Sequence, residues 1–199
     1  MIITRLPILN TDNGAVLDTD SALILVSHML AGQAKLVGCY WQTVALDNIY
    51  TDDKKLSALM RHYQCTPKET PVVPIEALDR RAPEQQLLLT AATELQAYLA
   101  NERQHFSVAM DDSFGTPFQR RVWQALATIG YGDTKSYAEL AKQVDNPKGY
   151  RAVAQANGKN PFSIIVPCHR VISSSGQLGG YTGGLDKKRH LLALEGNRF

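Results

Sequence analysis

At 199 residues, 44% hydrophobic and 20% charged, the chain has the size and balance of one ordinary folded domain or two small ones. Its apolar stretches, residues 22–26 and 191–194, are far too short to cross a bilayer; residues 1–10 lack the basic start, apolar run and small-residue cleavage site of a secretory signal; and three cysteines without paired spacing exclude a disulfide framework and suggest a reducing, cytoplasmic setting. The net charge of +2 hides a division: residues 1–115 carry 9 Lys and Arg against 14 Asp and Glu, and residues 116–199 carry 12 against 5, so the second part suits a polyanion or a dock for the acidic first part.

Residues 22–26, 37–40 and 44–46 are short β-leaning runs with polar breaks, which predicts a small sheet. Residues 52–63 predict a helix with Leu56, Leu59, Met60 and Tyr63 on one side. Residues 64–74, with three prolines, predict an irregular connection. A stronger helix follows over residues 84–99, where Leu88, Ala91, Ala92, Leu95 and Leu99 recur at helical spacing behind Pro83. The run Asp111-Asp112-Ser113-Phe114-Gly115 breaks that pattern and marks a domain junction, giving an N-terminal α/β domain over residues 1–112 and a second domain over residues 113–199.

In the second domain, Thr116-Pro117 reads as an N-cap followed by proline in the first turn of a helix running to Ile129. Phe118, Val122, Trp123, Leu126 and Ile129 form its apolar side. Residues 136–143 and 150–157 predict two short helices separated by the turn Asp145-Asn146-Pro147-Lys148-Gly149. Two short helices across a tight turn, the second starting near Arg151, have the layout of a helix-turn-helix.

Residues 160–172 carry the chemistry. Ile164, Ile165 and Val166 predict a buried strand, and Pro167 ends its ladder and delivers Cys168 at a turn. A thiol attacks as the thiolate, and His169 and Arg170 are neighbours able to favour that form. Neighbouring side chains on extended backbone point to opposite sides, so His169 is expected to act on Cys168 through a bridging water more than by direct contact, unless a turn alters their directions. Cys39 and Cys65 read as buried apolar residues. No CxxC or HxxxH spacing joins them to His28 and His62, so no metal is expected.

The motif Pro167-Cys168-His169-Arg170-Val171 resembles that of the O6-alkylguanine-DNA alkyltransferases. The resemblance extends through Gly115-Thr116-Pro117-Phe118-Gln119, Ser136-Tyr137, Arg151-Ala152-Val153, Asn160-Pro161, Gly179-Gly180-Tyr181-Thr182-Gly183-Gly184 and Leu191-Leu192-Ala193-Leu194-Glu195, in order over the C-terminal two-fifths. It implies a ribonuclease-H-like first domain with a small sheet and a winged-helix-like second domain with a helix-turn-helix. It also implies direct repair: irreversible transfer of an alkyl group from O6-alkylguanine in double-stranded DNA to Cys168, by a monomer needing no cofactor.

By the same resemblance His169 is the base, Glu195 the carboxylate orienting it, Asn160 the tie for the cysteine loop, and Tyr137 the proton donor toward guanine N3. Arg151 fills the space left by the extruded base, with Ser136, Ala152, Gln155 and Asn157 as further DNA contacts. Val171, Tyr181, Thr182 and Gly183 line the base pocket. The chain departs from the family at Gly149-Tyr150, where small residues, often alanines, are general, and at Asp145, where glycine is common. Two rival readings differ in outcome: a lesion sensor needs no acceptor cysteine, and a cysteine hydrolase turns over without needing Arg151.

Overall fold

The structure, a computed structural model, describes residues 1–8 and 21–199. It is a mixed α/β protein whose described residues fall into two compact units, residues 1–8 and 21–114, and Gly115–Phe199.

The first unit is built on an antiparallel sheet in the order β1 (Ile2–Pro7), β2 (Ala22–Leu30), β3 (Gln33–Trp41). Strands β2 and β3 form a hairpin across Ala31-Gly32, both at positive φ, the backbone twist that a two-residue hairpin turn requires. Residues 22–27 of β2 are all buried, so both faces of this central strand are covered and it shows no polar alternation. Ile24 and Val26 join Ile3, Val37 and Tyr40 in a core closed by Ile49 of α1 (Ile49–Asp52) and Leu56, Leu59 and Met60 of α2 (Lys54–His62). The long α3 (Pro83–Leu99) packs on all three strands, burying Leu88, Ala91, Ala92, Leu95 and Leu99.

Two sequence expectations need correction in this unit, and one strand goes beyond them. Strand β1 was not foreseen. Residues 44–46 are not a strand: the Gln42 side-chain amide donates to the Val44 carbonyl (2.8 Å), drawing it away from a ladder, and a 3-10 turn begins at Leu46. The helix expected from residue 52 starts after Asp53, whose carboxylate accepts from the Lys55 and Leu56 amides and so caps α2.

The second unit opens with α4 (Pro117–Ala127), capped reciprocally by Thr116 and Gln119. Its Val122, Trp123 and Leu126 are buried, Phe118 only partly. Strand β4 (Lys135–Ser136) leads into α5 (Tyr137–Gln143), with Ser136 and Glu139 forming a second capping box. A turn then gives α6 (Tyr150–Gly158), held to α4 by the Trp123 indole donating to the Ala156 carbonyl (2.8 Å). Strand β5 (Val171–Ile172) pairs in parallel with β4, and α7 (Leu185–Leu194) closes the unit.

Replacing Thr116 with Ala removes one half of the α4 cap and is expected to cost about 1 kcal/mol. Urea unfolding followed through Trp123 should show the lower midpoint; an unchanged midpoint would mean that the cap carries no net stability.

Candidate active site

Residues 164–166 are buried but do not form the expected strand. Ile164 lies at φ +71, and the segment folds back on itself through Ile165 N to Ser163 O (2.9 Å) and Val166 N to Phe162 O (2.8 Å). The cause is Asn160. Its Oδ1 accepts from the Phe162 amide (2.9 Å), and its Nδ2 donates to the carbonyls of Phe162 (3.2 Å) and Val166 (2.8 Å). A buried side-chain amide thus supplies partners that a ladder would otherwise supply. Cys168, 5% exposed, begins a 3-10 turn through Arg170, so the cysteine lies at a turn as expected, and the opposed directions of extended neighbours do not apply to Cys168 and His169.

That turn is fastened to the far end of α7 by a charged cluster. Arg170 donates from Nε to both Glu195 carboxylate oxygens (3.1 and 2.9 Å) and from Nη2 to Oε1 (2.8 Å), while Nη1 reaches the Ile129 carbonyl (2.6 Å). The Gly132 amide adds a bond to Oε2 (3.3 Å). Gly132 sits at φ +79, and a Cβ there would lie 3.2 Å from the Glu195 carbonyl oxygen, so glycine permits this approach. With the carboxylate held by a guanidinium, its 3.0 Å contact with His169 Nε2 requires Nε2 to be the donor. The proton on Nε2 leaves Nδ1 as the basic nitrogen. Full burial pushes the His169 pKa below 6.5 despite the raising effect of Glu195, so the ring is neutral at pH 7 and available as a base.

Tyr137, at the start of α5, packs its ring over Gly179; a Cβ at that glycine would lie 2.9 Å from the ring. Burial first, then the Cys168 charge, raises the Tyr137 pKa, so the phenol keeps its proton. Thr182 donates to the Gly158 carbonyl (2.8 Å), tying the glycine-rich segment to the end of α6. Val171 is fully buried, and Tyr181 and Gly183 are partly exposed beside Thr182.

One residue that sequence reasoning missed joins these segments. Lys188, fully buried on α7, donates from Nζ to the carbonyls of Val171 (2.6 Å) and Gly179 (3.2 Å). Burial lowers its pKa to about 8, with the Cys168 charge acting in the opposite direction. The available signal was periodicity: Lys188, Leu191 and Leu192 fall on one helical face.

Of the residues expected at DNA, Arg151, Ala152 and Gln155 are exposed along α6, and Ser136 is partly exposed as the cap of α5. Asn157 is a correction: it is buried, and its Nδ2 faces the Cys168 carbonyl (3.4 Å), so it supports the cysteine turn instead of meeting DNA. The two departures have local causes. Asp145 lies at φ +56, a left-handed turn position where glycine is easiest and Asp tolerated. A Cβ on Gly149 would lie 2.0 Å from the Asn146 side chain, so glycine fits this turn as alanine would not without moving Asn146. Cys65 Sγ lies 3.9 Å from His28 Nε2, but among the described residues no three His, Cys, Asp or Glu side chains are grouped to hold a metal.

Substituting Arg170 with Met strands the Glu195 carboxylate in a buried site and is expected to cost about 3–5 kcal/mol in denaturant unfolding; a loss below 1 kcal/mol would contradict the clamp. For His169, whose folded pKa is depressed, acidification protonates the unfolded chain first. Its contribution is therefore present above about pH 6.5 and is lost as pH falls below that value. Thermal midpoints should decline from pH 7 to 5, and less steeply in His169→Gln.

The family model of the 6-O-methylguanine DNA methyltransferase DNA-binding domain matches residues 117–197. The chain is 55% identical over 113 residues to the methylated-DNA–protein-cysteine methyltransferase of Mycobacterium leprae, covering 57% of this chain and 68% of that protein. It is 48% identical over 123 residues to the one from Methanosarcina acetivorans, covering 62% and 78%. The crystal structure of Mycobacterium tuberculosis OGT in complex with DNA is similar at TM-score 0.67 and 34% identity, over 98% of this chain and 92% of that one. By this similarity the chain belongs to the methylated-DNA–protein-cysteine methyltransferase family.

Proposed function

We propose that the protein repairs O6-alkylguanine in double-stranded DNA by moving the alkyl group onto Cys168, once per molecule. The observation that carries this reading is a buried cysteine at a fixed turn beside a neutral histidine backed by a clamped carboxylate. That is the nucleophile, base and orienter needed to activate a thiol.

In this reading the Cys168 proton passes to His169, and sulfur attacks the alkyl carbon. The S–C bond forms as the C–O6 bond breaks, and the electron pair leaves on guanine. Tyr137 supplies a proton to guanine N3 and regains one from the His169 imidazolium by way of solvent, so both residues return to neutral and the net change moves the thiol proton to the base. The thioether product is chemically inert, which makes the protein a reagent consumed in use.

Guanine O6 lies on the major-groove edge of a stacked base, and Cys168 is only 5% exposed, so the target nucleotide must leave the duplex to reach it, at a cost of a few kcal/mol. We assign α5 and α6 as a helix-turn-helix in a winged-helix-like unit that meets this cost. Support comes from the exposed Lys142, Lys148, Arg151 and Lys159 on and around the pair, suited to phosphates, and from the Mycobacterium tuberculosis relative solved with DNA. Arg151 takes the place of the extruded base, and Val171, Tyr181, Thr182 and Gly183 receive it next to Tyr137. The first unit, with its small sheet, is assigned as a ribonuclease-H-like support, and the protein acts as a cytoplasmic monomer without a cofactor.

Titrating a duplex that carries one O6-methylguanine should show repair ending at one lesion per chain, with Cys168→Ala inactive. Continued turnover would favour a hydrolase, and activity in Cys168→Ala would remove the acceptor role. Arg151→Ala should slow duplex repair about tenfold or more while leaving reaction with free O6-benzylguanine unchanged; equal losses on both substrates would contradict its role in base extrusion.

A further inference from the structure

Among the described residues only Met110, Tyr150, Leu185 and Phe199 are large apolar side chains with substantial exposure, and Tyr150 is the most open at 48%. It is also the only one of the four on the α5–α6 pair. It is the first residue of α6, immediately before Arg151, and the Arg151 guanidinium lies 5.7 Å from the centre of its ring. An aromatic ring at that distance attracts a cation through its quadrupole and restricts where the guanidinium can go. Gly149 on the other side adds no side chain, and the tight turn from Asn146 (Gly149 N to Asn146 O, 2.8 Å) sets the start of α6. The sequence therefore places a planar cation and an exposed planar ring side by side at the helix end that precedes the reading face.

We propose that Tyr150 is a second DNA-opening residue: its ring stacks on the base left without a partner when the damaged guanine is extruded, while Arg151 fills the vacated space. This rests on the alkyl-transfer reading of the same unit. The physical case is complementary surface. Extrusion takes away the orphaned base's pairing partner and its cross-strand cover, so the base can tilt and present part of its face to the opened gap, and a half-exposed phenol ring is likewise poorly satisfied in the free protein. Bringing the two together removes both apolar faces from solvent, and stacking tolerates any base because each presents a π-face. The Arg151 contact gives the pair a shared orientation before DNA arrives, which lowers the ordering cost of inserting two long side chains. A small residue in place of Tyr150 supplies neither effect.

The test compares wild-type protein, Tyr150→Ala and Tyr150→Phe in single-turnover repair at low protein concentration. Two duplexes are used, one with cytosine opposite O6-methylguanine and one with an abasic site there. Tyr150→Ala should repair the cytosine duplex about tenfold more slowly, with less than about twofold loss on the abasic duplex, where nothing remains to stack on. Tyr150→Phe should match wild type on both, because the ring and not the hydroxyl is required. Reaction with free O6-benzylguanine should be equal in all three proteins, which also shows that the Ala variant is folded. Wild-type repair rates for Tyr150→Ala on the cytosine duplex would overturn the proposal. So would an equal loss on both duplexes, which would assign Tyr150 to the backbone, or a Phe variant as slow as Ala. A wild-type protein that takes up no alkyl group from either substrate would instead overturn the alkyl-transfer reading, and Tyr150 would fall with it.

Discussion

The buried carboxylate of Glu195 is the constraint on which the second unit depends. A carboxylate taken out of water must be surrounded by donors, and here those donors come from distant parts of the sequence: the Arg170 guanidinium, the His169 ring and the Gly132 amide. Meeting that need fixes three things together. The end of α7 is held to the turn bearing Cys168, the turn after α4 is drawn in through Gly132 and Ile129, and the histidine ring is set in one tautomer. A stability requirement and a chemical one are thus met by the same contacts.

The second constraint is the pair of side-chain amides beneath the cysteine turn. Asn160 closes residues 160–166 into a compact loop, and Asn157 faces the Cys168 carbonyl from α6. Because Asn157 belongs to the helix whose exposed face carries Arg151 and Gln155, the turn bearing Cys168 is tied to the element proposed to meet DNA. Lys188 then bridges Val171 and Gly179, so the two sides of the proposed base pocket are fixed to α7 as well. Such fixation holds reacting groups in place before the substrate arrives.

Local signals were read well where they stood alone. Thr116-Pro117 announced the start of α4 because a cap needs only nearby residues. The apolar period over residues 88–99 announced α3 for the same reason. Where a distant or side-chain partner decides the backbone, the sequence misled: apolar composition suggested a strand at residues 164–166, and only the Asn160 amide explains the loop found there. Arg170 was read as a neighbour acting on the thiol, whereas the structure commits it to Glu195, 25 residues away. Asn157 was placed at DNA by resemblance alone, whereas the structure buries it on the inner face of α6. The identity of the nucleophile came from its motif; its support could be seen only in three dimensions.

The most direct test of the account is intact-protein mass spectrometry, with peptide mapping, after reaction with a duplex carrying one O6-methylguanine. The account predicts a single gain of about 14 Da, the mass of one methylene added on S-methylation, located at Cys168 and absent from Cys39 and Cys65. An unchanged mass, or a methyl group carried on another residue, would contradict it.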